Sequence, residues 1–299
     1  AQGLVGFGFF QAINYPFISA EKESSILGRP VEMVALGNPL TDLETHLRTS
    51  LLAGLLDSVR RNLNFGIPDV RLFELGTTYH PDRTSANGAT REEAVLGLVA
   101  HGKFYDPFWN SQSEELVFFH FKGIVDRVFE RLGVTFQYEP NGEVAFLHPG
   151  IAADVLRDGR RIGILGALHP RLQEEYKFTD RVFYGEIQLG SIYSGPIPEP
   201  VFVSPGRFPS VDRDLSFVLD KTVPFGRIVS LVQTLAVPEL KAFRLIDLYH
   251  GQSLPRDKVS LTVRLTFEAP DRTLTQAEVA ERCDALIGSL KDRFGVVQR

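Results

Sequence analysis

Between residues 194 and 206 the chain reads Ser194-Gly195-Pro196-Ile197-Pro198-Glu199-Pro200, with Pro205-Gly206 close behind. Proline fixes φ and has no backbone N–H, so closely spaced prolines fit neither a helix interior nor a central strand. The stretch therefore predicts an extended linker over 194–206, with one body at 1–193 and another at 207–299. At 299 residues the chain is long enough for two separate hydrophobic cores. Its 43% apolar and 23% charged residues are the balance of a globular protein.

Several function classes drop out early. No uninterrupted apolar run could span a bilayer, and the first residues, Ala1-Gln2-Gly3-Leu4, lack the positive region of a secretory signal. Nothing points to a membrane or to DNA. The single cysteine, Cys283, excludes an internal disulfide framework and suits a reducing cytoplasm, where we expect the protein to reside. The seven histidines are scattered, with no His-x-x-x-His pair, so no metal site is expected. The net charge of −5 is uneven: from Arg207 onward, fourteen lysines and arginines face twelve aspartates and glutamates. A mildly basic tail is weak support for a nucleic-acid partner, since many solvated faces look the same.

The second body is the easier to read. Arg213–Asp220 alternates, with Leu215, Phe217 and Leu219 on one side and Asp214, Ser216 and Val218 on the other, which predicts a half-buried strand. Pro224 opens a helix whose Ile228, Leu231, Val232 and Leu235 form a stripe. Lys241–Tyr249 and Lys258–Phe267 read as strands, Thr275–Phe294 as a long amphipathic helix, and Val296-Val297 as the start of a last strand. The order βαββαβ is that of the ferredoxin-like fold, with helices on one sheet face and the other face free. Val259, Leu261, Val263, Leu265 and Phe267 must face the helices, leaving Ser260, Thr262, Arg264 and Thr266 on the open face. Asp247 and Tyr249 share one face of the preceding strand. An aromatic, a carboxylate, hydroxyls and a cation on an open sheet suit single-stranded RNA. The same pattern also fits an amphipathic edge residue in Tyr249 and a solvated charge in Arg264. The candidate RNA-binding set is Asp247, Tyr249, Ser260, Thr262 and Arg264, with Arg213 at the head of the first strand.

The first body is mixed α and β. Asn14–Ile18, Val31–Leu36, Val70–Tyr79 and Val95–Ala100 predict strands. Leu51–Leu63 and Phe119–Leu132 predict helices, with apolar stripes at helical spacing. Asp158-Gly159, between Ala153–Arg157 and Arg160–Leu168, is a type I′ hairpin signal. Asn38-Pro39 and Gly150 read as turn formers, and His148 and His169, each preceding a proline, as local structural residues rather than a catalytic pair.

Certain of these stretches resemble the beta subunit of bacterial phenylalanyl-tRNA synthetase. They are Asn14-Tyr15-Pro16-Phe17, Gly37-Asn38-Pro39-Leu40, Leu47-Arg48-Thr49-Ser50-Leu51-Leu52 and Leu72-Phe73-Glu74-Leu75-Gly76. Phe146-Leu147-His148-Pro149-Gly150, Leu165-Gly166-Ala167-Leu168-His169-Pro170 and Phe208-Pro209 with Arg213-Asp214-Leu215 follow in the family's order, so the resemblance covers nearly the whole chain. It implies an α+β chain: a class II synthetase-like antiparallel sheet module, then a ferredoxin-like anticodon-binding domain. It also implies an alpha-subunit partner in an (αβ)₂ heterotetramer, and contact with the anticodon of phenylalanine tRNA. Asp247, Tyr249 and Ser260 match the family's anticodon-contacting positions. The parent complex attaches phenylalanine to its tRNA with ATP and magnesium; this chain is expected to hold no cofactor itself. The family's editing centre lies upstream of the matched portion, and the abrupt Ala1 start suggests a fragment.

The residues for adenylation are missing. A class II site needs an arginine after the motif-2 strand and another ending the motif-3 strand, both to offset charge on a triphosphate. Here His80 stands near the first position, and Phe183-Tyr184-Gly185-Glu186-Ile187-Gln188-Leu189 fills the second slot without arginine. Glu74 is either a relic of the motif-2 strand or a satisfied sheet carboxylate. Three readings stay open: an RNA-binding and assembly module, an independently active adenylating enzyme, and a protein-interaction scaffold that binds no RNA. The assembly reading expects the apolar faces of the helices within 47–63 and 119–132 to remain available to a partner.

Overall fold

The computed structural model describes residues 1–82, 90–105, 107–193, 202, 206–251 and 254–299. Residues 194–201 and 203–205 of the proline-rich linker lie outside the described residues. The chain divides into two compact units, Ala1–Pro200 and Val201–Arg299.

The first unit opens with α1 (Gln2–Val5), β1 (Phe10–Gln11), β2 (Phe17–Ile18), α2 (Ala20–Leu27), β3 (Val34–Ala35) and β4 (His46–Leu47). Then come α3 (Leu52–Asn64), β5 (Val70–Pro81), β6 (Thr90–His101), β7 (Lys103–Tyr105), β8 (Glu114–Glu115) and α4 (Phe118–Glu130). It closes with β9 (Gln137–Pro140), β10 (Leu147–Arg157), β11 (Arg160–Leu168), α5 (Pro170–Tyr176), β12 (Phe183–Gln188) and α6 (Gly190–Tyr193). Seven strands form the main sheet in the order β1-β5-β6-β12-β11-β10-β9, antiparallel throughout except that β1 runs parallel to β5.

Both faces of this sheet are packed, which is why its central strands read as nearly continuous apolar runs. Along β6, Val95 and Val99 turn to one core with α2, α3 and α5, while Leu96, Leu98 and Ala100 turn to the other with α1 and α4. Gly97 marks where α3 comes closest: a Cβ there would lie 2.8 Å from Leu55 and 3.0 Å from Leu51. The Asp158-Gly159 turn has φ of 51° and 73°, the left-handed pair that a type I′ hairpin requires.

Three expectations need correction. The strands expected over Asn14–Ile18 and Val31–Leu36 shrink to β2 and β3, because the Asn14 side chain is drawn to Glu74 and Ser58 and Pro16 has no N–H to donate. β6 begins at Thr90, beyond the apolar run: the polar stretch Thr90–Ala94 pairs with Thr77–Pro81 outside the core. Gly150 lies inside β10, at a register shift between Leu147 and Ala152, and is not a turn residue.

The second unit comprises β13 (Val211–Asp220), α7 (Phe225–Leu235), β14 (Leu240–Tyr249), β15 (Lys258–Phe267), α8 (Gln276–Phe294) and β16 (Val297–Gln298). The sheet order is β14-β15-β13-β16 with every neighbour antiparallel, which is the ferredoxin-like arrangement. Thr275 caps α8, exchanging hydrogen bonds with Glu278, and Gly295 ends it at φ 62°. Phe217, Leu219, Val259, Leu261, Val263, Leu265 and Phe267 bury against Ile228, Val232, Val279, Cys283, Leu286 and Leu290. Helices therefore cover one face of the sheet only.

Candidate nucleic-acid interface

On the helix-free face, β13 and β15 set out their polar residues in register. Asp212 faces Thr266, Asp214 faces Arg264 and Ser216 faces Thr262. Thr266 donates to Asp212 at 2.7 Å, and the Ser216 and Thr262 hydroxyls lie 2.9 Å apart. Arg264 donates from Nε and Nη2 to the two oxygens of Asp214, both at 2.7 Å. That bidentate bond holds the Asp214 carboxyl below its ordinary range. The Arg264 charge is thus already neutralised within the sheet.

β14 supplies the rest of the face by an irregularity. Period-two alternation from Phe243, which faces the helices, would put Leu245, Asp247 and Tyr249 on the helix side too. The pairing instead shifts: Leu245 faces Val263, Ile246 is extra, and Asp247 faces Thr262. One inserted residue reverses the facing of everything after it. Asp247 and Tyr249 thereby join Thr262 and Ser260 on the open face, with Tyr249 opposite Ser260. Arg244, before the bulge, lies on this face as well, opposite Arg264.

The structure therefore brings together Asp247, Tyr249, Ser260, Thr262 and Arg264, but not Arg213. Arg213 pairs with Leu265 on the helix side, near enough to α8 that its charge acts on the Cys283 thiol, whose pKa burial nonetheless raises. Asp247 and Arg244 are exposed, and neither side chain has a hydrogen bond or ion pair among the described residues. Tyr249 is 39% exposed, whereas Ser260, although on the open face, is only 4% exposed. Sequence reasoning missed Arg244 and the bulge. The signal was present in the apolar positions of β14, which run Phe243, Leu245, then Leu248, a break from even spacing.

In the first unit, polar groups cluster under the N-terminus of α3. Arg48 Nη1 and Asn14 Nδ2 each donate to Glu74 at 2.7 Å, so Glu74 is a satisfied sheet carboxylate. Glu23 Oε1 accepts from the Thr49 and Ser50 N–H groups at 2.8 and 3.1 Å, and its pKa is raised, chiefly by burial. Glu186 accepts from Ser50 Oγ at 2.8 Å and from the Leu51 N–H at 2.9 Å, a carboxylate at a helix N-terminus. Burial lowers the pKa of His80, whose Nε2 lies 3.8 Å from Glu93. His148 and His169 accept through Nδ1 from the backbone N–H groups of Gly150 and Arg171, local structural bonds. Among the described residues no three His, Cys, Asp or Glu side chains gather as metal ligands do, and no helix is long and apolar enough to cross a membrane.

The helix faces expected to await a partner are enclosed. Leu52, Leu55, Leu56 and Val59 of α3, and Phe121, Ile124, Val125 and Phe129 of α4, are buried within this chain. Packing both faces of the main sheet consumes those stripes. Phe119 and Leu132, at the two ends of the stretch 119–132, stay exposed, as do Ile13, Tyr15 and Phe65, which line an open groove of about 650 Å³ together with Arg61.

The family described as phenylalanyl tRNA synthetase beta chain CLM domain matches residues 1–189, and that described as ferredoxin-fold anticodon binding domain matches 206–299. The phenylalanine–tRNA ligase beta subunit of Vibrio vulnificus (strain YJ016) is 33% identical over 297 residues, covering 99% of this chain and 37% of that protein. That of Geobacter sulfurreducens is 31% identical over 301 residues, again 99% of this chain and 37% of the relative. The chain thus spans little more than a third of the length of these relatives. Among solved structures, a pyrrolysyl-tRNA synthetase from Desulfitobacterium hafniense is 20% identical, with a TM-score of 0.49 over 64% of either chain.

Proposed function

Because the chain belongs to the family of phenylalanyl-tRNA synthetase beta chains, we propose that it is the tRNA-reading and assembly portion of such a subunit. In this reading the open face of the ferredoxin-fold sheet holds the anticodon of phenylalanine tRNA. The observation that carries it is the bulge at Ile246, which turns an aromatic ring, and a carboxylate without a partner among the described residues, onto the same open face as Thr262. The Tyr249 ring stacks a splayed base. The Asp247 carboxylate accepts from the amino or imino groups of a base edge, and the Thr262 hydroxyl donates or accepts beside it. Arg244 is an open-face cation placed for phosphate, whereas Arg264 is committed to Asp214.

The parent complex would use ATP and magnesium to charge the tRNA, but the residues of this chain do not fit a nucleotide. Both faces of the main sheet are packed, and the carboxylates of Glu23, Glu74 and Glu186 near the start of α3 are each taken up by the chain's own donors. Arg48, the buried guanidinium beside them, is bound to Glu74 at 2.7 Å. The chemistry then belongs to a companion subunit, as the name beta subunit carried by the relatives suggests, and the Ile13–Tyr15–Phe65 groove is the surface suited to it. The test is affinity for phenylalanine tRNA against the same tRNA with a changed anticodon, at fixed salt. The reading expects a preference for the cognate anticodon of at least about tenfold, the scale of one lost base contact; equal affinities would refute it.

A further inference from the structure

Arg299 lies at the far edge of the second sheet from Tyr249, yet the two side chains meet. Val297 and Gln298 pair with Val218 and Phe217, and the Arg299 N–H donates to the Ser216 carbonyl at 2.9 Å, which fixes the residue beside β13. Val218 is on the open face, so Val297 is too, and Arg299, two residues on, sends its side chain over the same face. From there the guanidinium carbon reaches 6.0 Å from the centre of the Tyr249 ring on β14, with β13 and β15 lying between the two strands. The side chain must therefore cross the open sheet. Ser260, flanked on that face by Val218 and Tyr249, is buried, while Arg264 on the same strand is exposed.

The ring is held as well as covered. Tyr249 leans back over Gly251, where a Cβ would collide with its hydroxyl end. The Arg299 side chain has no ion pair or hydrogen bond among the described residues, so attraction to the ring face is what draws the guanidinium across. A planar guanidinium facing an aromatic ring is one base short of a sandwich. A stacked base needs about 3.5–4 Å on each side, or about 7 Å between the outer planes. An exposed arginine, with its several rotatable bonds, can open the observed 6.0 Å by that margin.

We infer that Arg299 is the second plane of a base clamp, bracketing with Tyr249 one unpaired nucleobase that enters over Ser260. The inference rests on the RNA-binding reading above and assigns that site a residue on the opposite edge of the sheet. Arg299 is then a binding residue that makes the pocket two-sided, so a stacked base is shielded from water on both faces.

The experiment uses the full chain and anticodon hairpins of phenylalanine tRNA carrying 2-aminopurine at each loop position in turn, a base whose fluorescence falls on stacking. Wild-type protein should quench one position, and Tyr249→Ala should abolish that quenching. Arg299→Ala should weaken binding roughly three- to tenfold and leave the same position partly unquenched. Arg299→Lys should keep the salt dependence, because the charge remains, without restoring the quenching, because lysine has no plane. If Arg299→Ala binds equally or more tightly with full quenching, the arginine only shields the ring and the clamp is refuted, while the RNA-binding reading stands. If wild-type protein binds no hairpin, or Tyr249→Ala changes nothing, both fall together.

Discussion

Arg264 and Arg244 face each other across β14 and β15, but only Arg264 has its charge matched, by both oxygens of Asp214. Each phosphate contact steepens the fall of affinity with salt by nearly one unit in the log–log slope. Arg244→Ala should therefore weaken anticodon-hairpin binding and flatten that slope by about one, whereas Arg264→Ala should leave the slope unchanged, as titrations over a range of salt would show. Tyr249→Ala removes a stacking platform worth about 1–3 kcal/mol, a loss of roughly tenfold or more in affinity. Asp247→Ala should act on choice rather than strength, narrowing the gap between cognate and altered anticodons. In the first unit, Glu74 and Arg48 form a buried pair with side chains only 4% and 8% exposed. Removing one member of such a pair strands the other, so Glu74→Ala should cost about 3–5 kcal/mol in denaturant unfolding without touching RNA affinity.

Elements decide which way those residues face. Ile246 is the extra residue, so deleting it should leave Asp247 opposite Thr262 and Tyr249 opposite Ser260 in plain alternation, and hairpin binding should persist; loss of binding on deletion would show that those pairings do not by themselves set the site. Most elements of the second unit were legible in the sequence because each carries an amphipathic period and an end signal, as in Thr275-x-x-Glu278 opening α8. The bulge was not, since period-two reasoning pairs Asp247 with Tyr249 correctly without revealing that an extra residue sets their face. Arg213 shares the parity of Leu215, Phe217 and Leu219, so its place on the helix side was legible in the alternation, whereas that of Arg299 across the sheet depends on pairing register. The α3 N-terminus offers a separate test. Burial raises the Glu23 carboxyl above its ordinary value of about 4.5, so the stability tied to its neutral form is complete below that value and is lost as pH rises through the folded-state pKa. Glu23→Gln can still accept the Thr49 and Ser50 N–H bonds and never ionises. Its melting temperature should therefore rise relative to wild type between about pH 4 and pH 7, and a constant difference across that range would contradict the account.

At the scale of the whole molecule, one unit packs both faces of its main sheet and the other keeps one face free of helices. The isolated chain should show no phenylalanine-dependent ATP–pyrophosphate exchange, and exchange abolished by mutating His80 would overturn that expectation. Tyr15→Ser with Phe65→Ser should reduce co-purification with an alpha subunit while leaving hairpin affinity unchanged, since both residues belong to the first unit. The expectation of no exchange rests on the sequence, where arginine is missing from both phosphate-clamping slots. The closure of α3 and α4 was not legible there, because an apolar stripe looks the same whether it meets its own sheet or another subunit. The central claim is that the helix-free face of the second unit reads the anticodon. Backbone amide chemical shifts of the chain, followed by NMR as the anticodon hairpin is added, test it most directly. The account predicts changes concentrated in residues 244–251, 260–264 and 297–299, fading when the anticodon is altered. Changes centred on α7 and α8, or confined to the first unit, would contradict it.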